Sequence, residues 1–234
     1  MCSRGFKRLF RVDLGRTDYA RVWELQKRLV ELRRQSWVPD MLLITEHEPV
    51  ITMGRGTNRG NLLASEEQLR QKGVSLFEIE RGGDITFHGP GQSVLYPIID
   101  LTCRGKDLHK YLRDLENWLI ESLKELGLSA GTKKGLTGVW VNDSKVAAIG
   151  VAVSRWVTYH GVALNVNTDL DYFRLINPCG ITEYPVGSLK KLLDRQFDIE
   201  KVNNILADIF ASLFYYEMES IRDINALLME KVQI

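Results

Sequence analysis

Two short stretches hold the residue types that can do chemistry. Arg81-Gly82-Gly83-Asp84-Ile85-Thr86-Phe87-His88-Gly89-Pro90-Gly91-Gln92 gathers four glycines, a proline, an arginine and a histidine, and such a backbone bends tightly and leaves N–H groups open to a ligand. Farther along, Asn177-Pro178-Cys179-Gly180 sets a thiol between proline and glycine, a tight turn that presents a nucleophile rather than burying it. Together they point to an enzyme that handles an acyl group.

Cys179 needs a base, because a free thiol with a pKa near about 8.5 is mostly protonated at neutral pH. Lys145 is the candidate. It begins a strand, and simple alternation puts it on the face of Ala147 and Ile149, an apolar setting that would lower its pKa and let it take the thiol proton. A lysine chosen blindly at such a turn is an exposed charge. Arg81 suits a carboxylate or phosphate contact and His88 a polar wall of a substrate groove. Equally, Arg81 could pair with a protein carboxylate and His88 satisfy a buried carbonyl in a tight corner.

Two familiar phosphate loops are missing: no Lys-Ser/Thr follows Gly91, and no GxGxxG opens a helix after a strand. His88, His160 and Cys179 have donor types that suit zinc but lack close ligand spacing, so neither metal nor other cofactor is expected.

The elements that must position these residues are legible from period and capping. Phe6 to Leu14 alternates as a first strand, and Thr17 or Asp18 caps a helix with Tyr19, Val22, Leu25, Leu29 and Leu32 on one stripe. Met41 to Thr45 and Val50 to Met53 read as short strands. Ser65 with Gln68 forms a capping box for a helix closed by Gly73, and Val74 to Glu78 leads as a strand into the glycine-rich segment. Ser93 to Leu101 follows as a strand and Asp107 to Gly127 as a long amphipathic helix. Gly138 to Val141, Lys145 to Ser154 and Val157 to Val166 make a three-stranded meander. Helices from Ser188 and Asp198 precede a helical tail. Strands and helices neither alternate regularly nor separate into blocks, which predicts an α+β domain with a mixed sheet.

At 234 residues the chain can bury a full core, and 44% hydrophobic with 26% charged residues is ordinary for a globular enzyme. Formal net charge is +1, which argues against a general nucleic-acid footprint. The distribution is uneven, with 12 Lys/Arg against 7 Asp/Glu in residues 1–60 and 19 against 23 thereafter, an asymmetry that an acidic protein partner could use. Cys2, Cys103 and Cys179 are too few and too widely spaced for a disulfide framework. No apolar run approaches the roughly 20 residues of a membrane span and no secretory h-region opens the chain, so a cytoplasmic location is expected.

Read together, the segments resemble the lipoyl(octanoyl) transferase family, which moves an octanoyl group from acyl carrier protein to a lysine of lipoyl-domain proteins. The matching stretches are Glu46-His47-Glu48-Pro49-Val50 with Thr52-Met53-Gly54-Arg55, the segment 81–92, Gly138-Val139-Trp140-Val141, Lys145-Val146-Ala147-Ala148-Ile149-Gly150, His160-Gly161-Val162-Ala163-Leu164-Asn165-Val166, Asp169-Leu170 and Asn177-Pro178-Cys179-Gly180. The resemblance covers about residues 6–195. Phe87 stands where the family commonly has tyrosine, and Gly56 where a basic residue often follows Arg55.

The resemblance implies a single α+β domain over residues 1–234, with a mixed β-sheet flanked by helices, similar to biotin protein ligase and lipoate ligase catalytic domains; residues 196–234 read as a C-terminal helical extension. It implies that Cys179 is the acyl-thioester nucleophile and Lys145 the partner that lowers its pKa. The implied acyl pocket comprises Arg81, Gly82, Gly83, Asp84, Ile85, Thr86, Phe87 and His88, then Ala148, Ile149 and Gly150, then Gly161, Val162 and Ala163. The implied partners are octanoyl-acyl carrier protein as donor and, as acceptors, lipoyl domains of 2-oxoacid dehydrogenases and the glycine cleavage H protein, with no nucleic acid and no membrane. The rivals are an ATP-dependent lipoate or biotin ligase, which would need a nucleotide-phosphate loop and no cysteine nucleophile, and a non-catalytic carrier-binding protein.

Overall fold

The computed structural model describes residues 6–180 and 184–232, without the side chains of Cys179 and residues 230–232. In chain order the elements are β1 (Lys7–Thr17), α1 (Tyr19–Arg34), β2 (Asp40–His47), β3 (Val50–Met53), α2 (Glu66–Gln71), β4 (Ser75–Glu78), β5 (Ile85–His88) and β6 (Gln92–Ile98). Then come α3 (Leu108–Glu125), β7 (Ala130–Lys133), β8 (Leu136–Val141), β9 (Ser144–Ser154), β10 (Val157–Asn165), α4 (Leu189–Leu193), α5 (Ile199–Leu213), β11 (Tyr216–Ser220) and α6 (Ile224–Val232).

The caps explain why the helices start where they do. Asp18 accepts a hydrogen bond from Arg21 N, Asp107 from Lys110 N, and Ser65 with Gln68 closes the full capping box, each satisfying an N–H that the first turn leaves open.

Eight strands form one mixed sheet in the order β11-β1-β2-β6-β10-β9-β8-β7, in which β1 runs parallel to both β11 and β2. Helices α3 and α5 cover one face through Leu115, Trp118, Leu119, Leu206 and Phe210. Trp118 is fully buried and donates its indole N–H to Leu206 O at 2.7 Å. Helices α1 and α6 cover part of the other face, where Val22 and Leu29 pack with Met41, Leu43, Val94 and Tyr96. The two faces account for the α+β architecture.

Three features depart from the sequence reading. The fold has a second sheet, β4-β3-β5, with its own apolar cluster of Ile51, Ile85, Phe87 and Phe173. Strand β5 lies inside the glycine-rich segment: Ile85 to His88 pairs antiparallel with β3, although the flanking glycines read as an unbroken loop. The C-terminal extension is not wholly helical either, because β11 adds to the sheet edge beside β1 and Tyr216 donates to the buried carboxylate of Asp40 at 2.5 Å. Glu217 and Glu219 give β11 no apolar run of its own, so its pairing partner decides its conformation.

Cys103 is disulfide-bonded, where wide spacing had argued against a bridge; separation along the chain does not measure separation in the fold. It lies in the turn Leu101–Arg104, just beyond the C-terminal end of β6. None of the helices among the described residues is long and apolar enough to cross a membrane.

Candidate active site

A narrow groove runs between the large sheet and the glycine-rich segment. Its floor is built from facing pairs on neighbouring strands, Val94 with Ala163, Ala163 with Ala148, and Gly161 with Gly150. Ala148 and Ala163 keep the floor low, whereas Gly150 and Gly161 let protein atoms close in: a Cβ on Gly150 would stand 2.8 Å from Arg81 Cδ, and one on Gly161 would collide with Leu95 O. Arg81, Gly83, Thr86 and His88 form the opposite wall, and Tyr19, Tyr96 and His160 stand with them in the same cavity. A second cavity shares Thr86, Ala148 and Ala163 with the first and extends it to Gln92, Asn165, Lys145, Phe173, Pro178 and Val186. The two cavities therefore adjoin across Thr86, Ala148 and Ala163, and Lys145 and Pro178 line the second.

Lys145 arrives there by a route that simple alternation misses. Pairing between β8 and β9 steps from Val139↔Ala147 to Trp140↔Lys145, so β9 carries one extra residue. Such a bulge turns the side chains before it to the other face. Ala147 shares the apolar face of Val139, whereas Lys145 shares that of Trp140, with its Nζ 5.1 Å from the indole centroid. The expectation that Lys145, Ala147 and Ile149 lie on one face is thus corrected.

Lys145 is 7% exposed, and its backbone is held by Pro185 O and by Gly187 N, each at 2.9 Å. Gly138 makes room for its stem, since a Cβ there would sit 2.7 Å from Lys145 Cε.

Arg81 donates to Thr52 O at 2.8 Å, Thr52 Oγ1 at 3.0 Å and Gly82 O at 3.1 Å, which fixes the loop's entry into the groove. His88 belongs to a chain of buried amides. Gln92 Nε2 donates to Phe87 O and to Asn165 Oδ1, so Gln92 Oε1 must face His88 Nδ1, 2.7 Å away. The proton of His88 therefore sits on Nδ1. Asn165 Nδ2 carries the chain on to Gly187 O at 2.9 Å, beside Lys145.

Of the remaining residues in the implied pocket, Ile149, Val162 and the small floor residues line the groove. Ile85 and Phe87 belong to the core of the small sheet, Gly82 N donates to Val151 O, and Asp84 is engaged by Ile85 N and Asn61 Nδ2. The Cys179 side chain lies outside the described residues; its neighbour Pro178 lines the groove. The Gly180 N–H is donated to Asn177 O at 3.0 Å, closing the turn.

Sequence reasoning missed Tyr19, Val94, Tyr96, Gln92 and Asn165. For Gln92, Val94 and Tyr96 a signal existed: they share one parity of a strand that follows the glycine-rich segment directly. For Tyr19 there was none beyond a helical stripe.

His88 and His160 line this groove, His47 stands beside His88 with their ring centroids 6.1 Å apart, and all three are held neutral. Burial pushes His47 down to about 4, and burial first, then neighbouring charge, pushes His88 and His160 to about 3. His47 is fixed between Thr17 O and the hydroxyl of Tyr96, at 3.3 and 2.8 Å. His160 has φ +56°, a value uncommon outside glycine, and donates its N–H to Gln26 Oε1 at 2.7 Å. Its Nε2 is 3.8 Å from Glu80. His88 and His160 thus give the groove uncharged imidazole surfaces.

This has a consequence for stability. The unfolded chain takes up protons at these imidazoles as pH falls through about 6.5, while the folded chain refuses them until about 3 to 4. Stability is expected to be level above pH 7 and to fall below 6.5, with each histidine contributing a slope of at most about 1.4 kcal/mol per pH unit. Urea unfolding midpoints measured from pH 7.5 to 5 check this; a flat profile would mean that the imidazoles reach water.

Comparison with known proteins accords with this geometry. A family model for the lipoyl protein ligase A/B catalytic domain matches residues 18–211. An octanoyltransferase of Desulforamulus reducens is 45% identical over 217 residues, covering 92% of this chain and 95% of the relative. The chain belongs to this family. Among solved structures, a putative lipoate protein ligase from T. acidophilum superposes with a TM-score of 0.74 at 16% identity, covering 97% of this chain and 93% of that one. A biotin protein ligase from Aquifex aeolicus gives 0.51 at 12% identity over 88% of this chain and 68% of that one. At such identities the structures show a shared fold, the one that the family resemblance implied.

Proposed function

We propose that this protein is an octanoyltransferase, carrying an octanoyl group from acyl carrier protein to a lysine of a lipoyl domain through a thioester on Cys179. The observation that carries this reading is the placement of Lys145 and Pro178 in a cavity that shares Thr86, Ala148 and Ala163 with the groove beside it. In the first half-reaction Lys145 takes the Cys179 proton, and the thiolate attacks the thioester carbonyl of the donor. A new C–S bond forms, the carrier's sulfur departs, and the proton on Lys145 goes with it.

The acceptor's lysine amine then attacks the enzyme thioester. An amide forms, the Cys179 sulfur leaves, and the amine's proton passes to Lys145. Thioester exchange is close to thermoneutral and amide formation is downhill, so no ATP enters. Transfer should continue at full rate in ATP-free buffer; a requirement for ATP would favour the ligase rival. The acceptors would be lipoyl domains such as those of 2-oxoacid dehydrogenases and the glycine cleavage H protein, and the setting the cytoplasm.

Donor docking is expected to be electrostatic. Arg55 is exposed beside the glycine-rich segment, with Arg59 close by in an ion pair with Glu78 at 2.6 Å. Attraction between exposed charges is screened over about 8 Å at physiological ionic strength. Arg55→Glu should raise the donor's apparent KM more than it lowers kcat, and added salt should do the same to the unsubstituted protein. A donor KM indifferent to salt would remove this docking mode.

A further inference from the structure

We propose that Asn61 and Asp84 are positioning residues that lock the nucleophile's turn against the glycine-rich segment. The inference rests on the transferase reading for its kinetic consequence and on the geometry alone for its structural one. Asn61 Nδ2 donates to Asp84 Oδ2 at 2.5 Å, while Ile85 N donates to Asp84 Oδ1 at 2.7 Å. Both side-chain oxygens of Asp84 are therefore engaged inside the protein.

The main chain of Asn61 completes the link. Its carbonyl accepts from Asn177 N at 2.7 Å, one residue before the turn Pro178–Gly180 begins. Leu63 N and Ala64 N both donate to Leu175 O, at 2.9 and 3.1 Å, so the segments around 62 and 176 run bound together. On the other side, Gly54 N donates to Asp84 O at 3.2 Å and Gly56 N to Gly83 O at 3.0 Å. Three loops distant in sequence thus meet at one side-chain bond.

Gly180 shows how close the pair lies to the nucleophile's turn. It has φ +65°, and a Cβ built on it would stand 3.3 Å from Asn61 Nδ2 and 3.5 Å from Asp84 Oδ2. The residue after Cys179 therefore faces the Asn61–Asp84 pair, with space between them for about one methyl group. A nucleophile works when its approach to the carbonyl is fixed within a few tenths of an ångström, and an error of about 1 Å can cost about 100-fold in rate. The turn has a three-residue helical bond of its own, so what the pair adds is the turn's position relative to the groove. Lys145 and Thr86 stay where their strands hold them, whatever happens to Asn61.

Single-turnover acylation by octanoyl-acyl carrier protein, followed by intact-protein mass spectrometry, tests the proposal with Asn61→Ala, Asp84→Ala and Asp84→Asn. Both alanine variants are expected to lose about 10- to 100-fold in the acylation rate constant, with the donor concentration at half-saturation changed by no more than about twofold. Asp84→Asn keeps a carbonyl oxygen for Ile85 N and turns an NH2 towards Asn61, whose amide can flip to accept it through Oδ1, so this variant should recover most of the rate. The pH profile of Cys179 alkylation by iodoacetamide should not move, since the base is untouched.

Acylation at the wild-type rate in Asn61→Ala, or an Asp84→Asn variant no better than Asp84→Ala, would overturn it. Amide hydrogen exchange at Asn177 and Gly180 supplies a readout independent of turnover. Exchange in Asn61→Ala should quicken there and not in β9 or β10; unchanged exchange overturns the lock even in a protein that never acylates. Failure of the wild-type protein to acylate, with faster exchange in the variant, would instead strike the transferase reading.

Discussion

Incubation with octanoyl-acyl carrier protein is expected to make the protein heavier by one octanoyl group, released by hydroxylamine as a thioester is. Cys179→Ala should never show this adduct and should lose at least about 1,000-fold in transfer, because removing the proposed covalent nucleophile leaves only binding and positioning to act. Cys2→Ala and Cys103→Ala should still form it. For Cys103 the structural reason is plain: it is disulfide-bonded, in the turn beyond the end of β6 opposite to Gln92, whereas Gln92 and Pro178 share a cavity. Transfer of octanoyl by Cys179→Ala would mean that another group is the nucleophile.

The second large effect is expected at Lys145. Replacing it with alanine leaves the thiol but removes the proposed base, so acylation at neutral pH should slow by about 100-fold or more. The sign of the pH dependence follows. Without its partner the thiol ionises nearer the free-cysteine value of about 8.5, so the variant's rate should rise with pH and recover in part by pH 9. Lys145→Arg should not restore the rate at neutral pH, since a guanidinium can attract a thiolate but cannot accept its proton. Stopped-flow acylation across pH 6 to 9 decides the matter; superimposable profiles for Lys145→Ala and the unsubstituted protein would rule Lys145 out as base.

Much of the fold could be read from the chain because local rules and tertiary packing agree there. Asp18, Ser65 and Asp107 sit where capping places them, and the stripe of α3 is the face that packs on the sheet. The meander from β8 to β10 is equally local, since Asn142 and Asp143 make the turn between strands of strong β-formers. Strand β5 was hidden because four residues between glycines have no period of their own, and only pairing with β3 extends them. Strand β11 was hidden for a similar reason. Its glutamates do not describe a buried strand, and it exists because β1 has an edge to be covered.

At the site, the residue types supplied the candidates for the chemistry: a thiol on a Pro-Gly turn, a lysine at a strand's start and small residues after each motif. Those follow from sequence alone, because the kinds of atom available are fixed by the residues. Which way each one faces does not follow. Within the run 81–88, alternation in β5 sends Thr86 and His88 to the groove and Ile85 and Phe87 to the core, while Asp84 turns to Asn61. Lys145 faces the groove because one additional residue enters the β8–β9 ladder, and a bulge is set by the pairing of two strands, which neither strand's sequence displays. The neutral state of His47, His88 and His160 is likewise a property of the closed sheets around them, since an imidazole loses its proton to burial that only the assembled fold supplies.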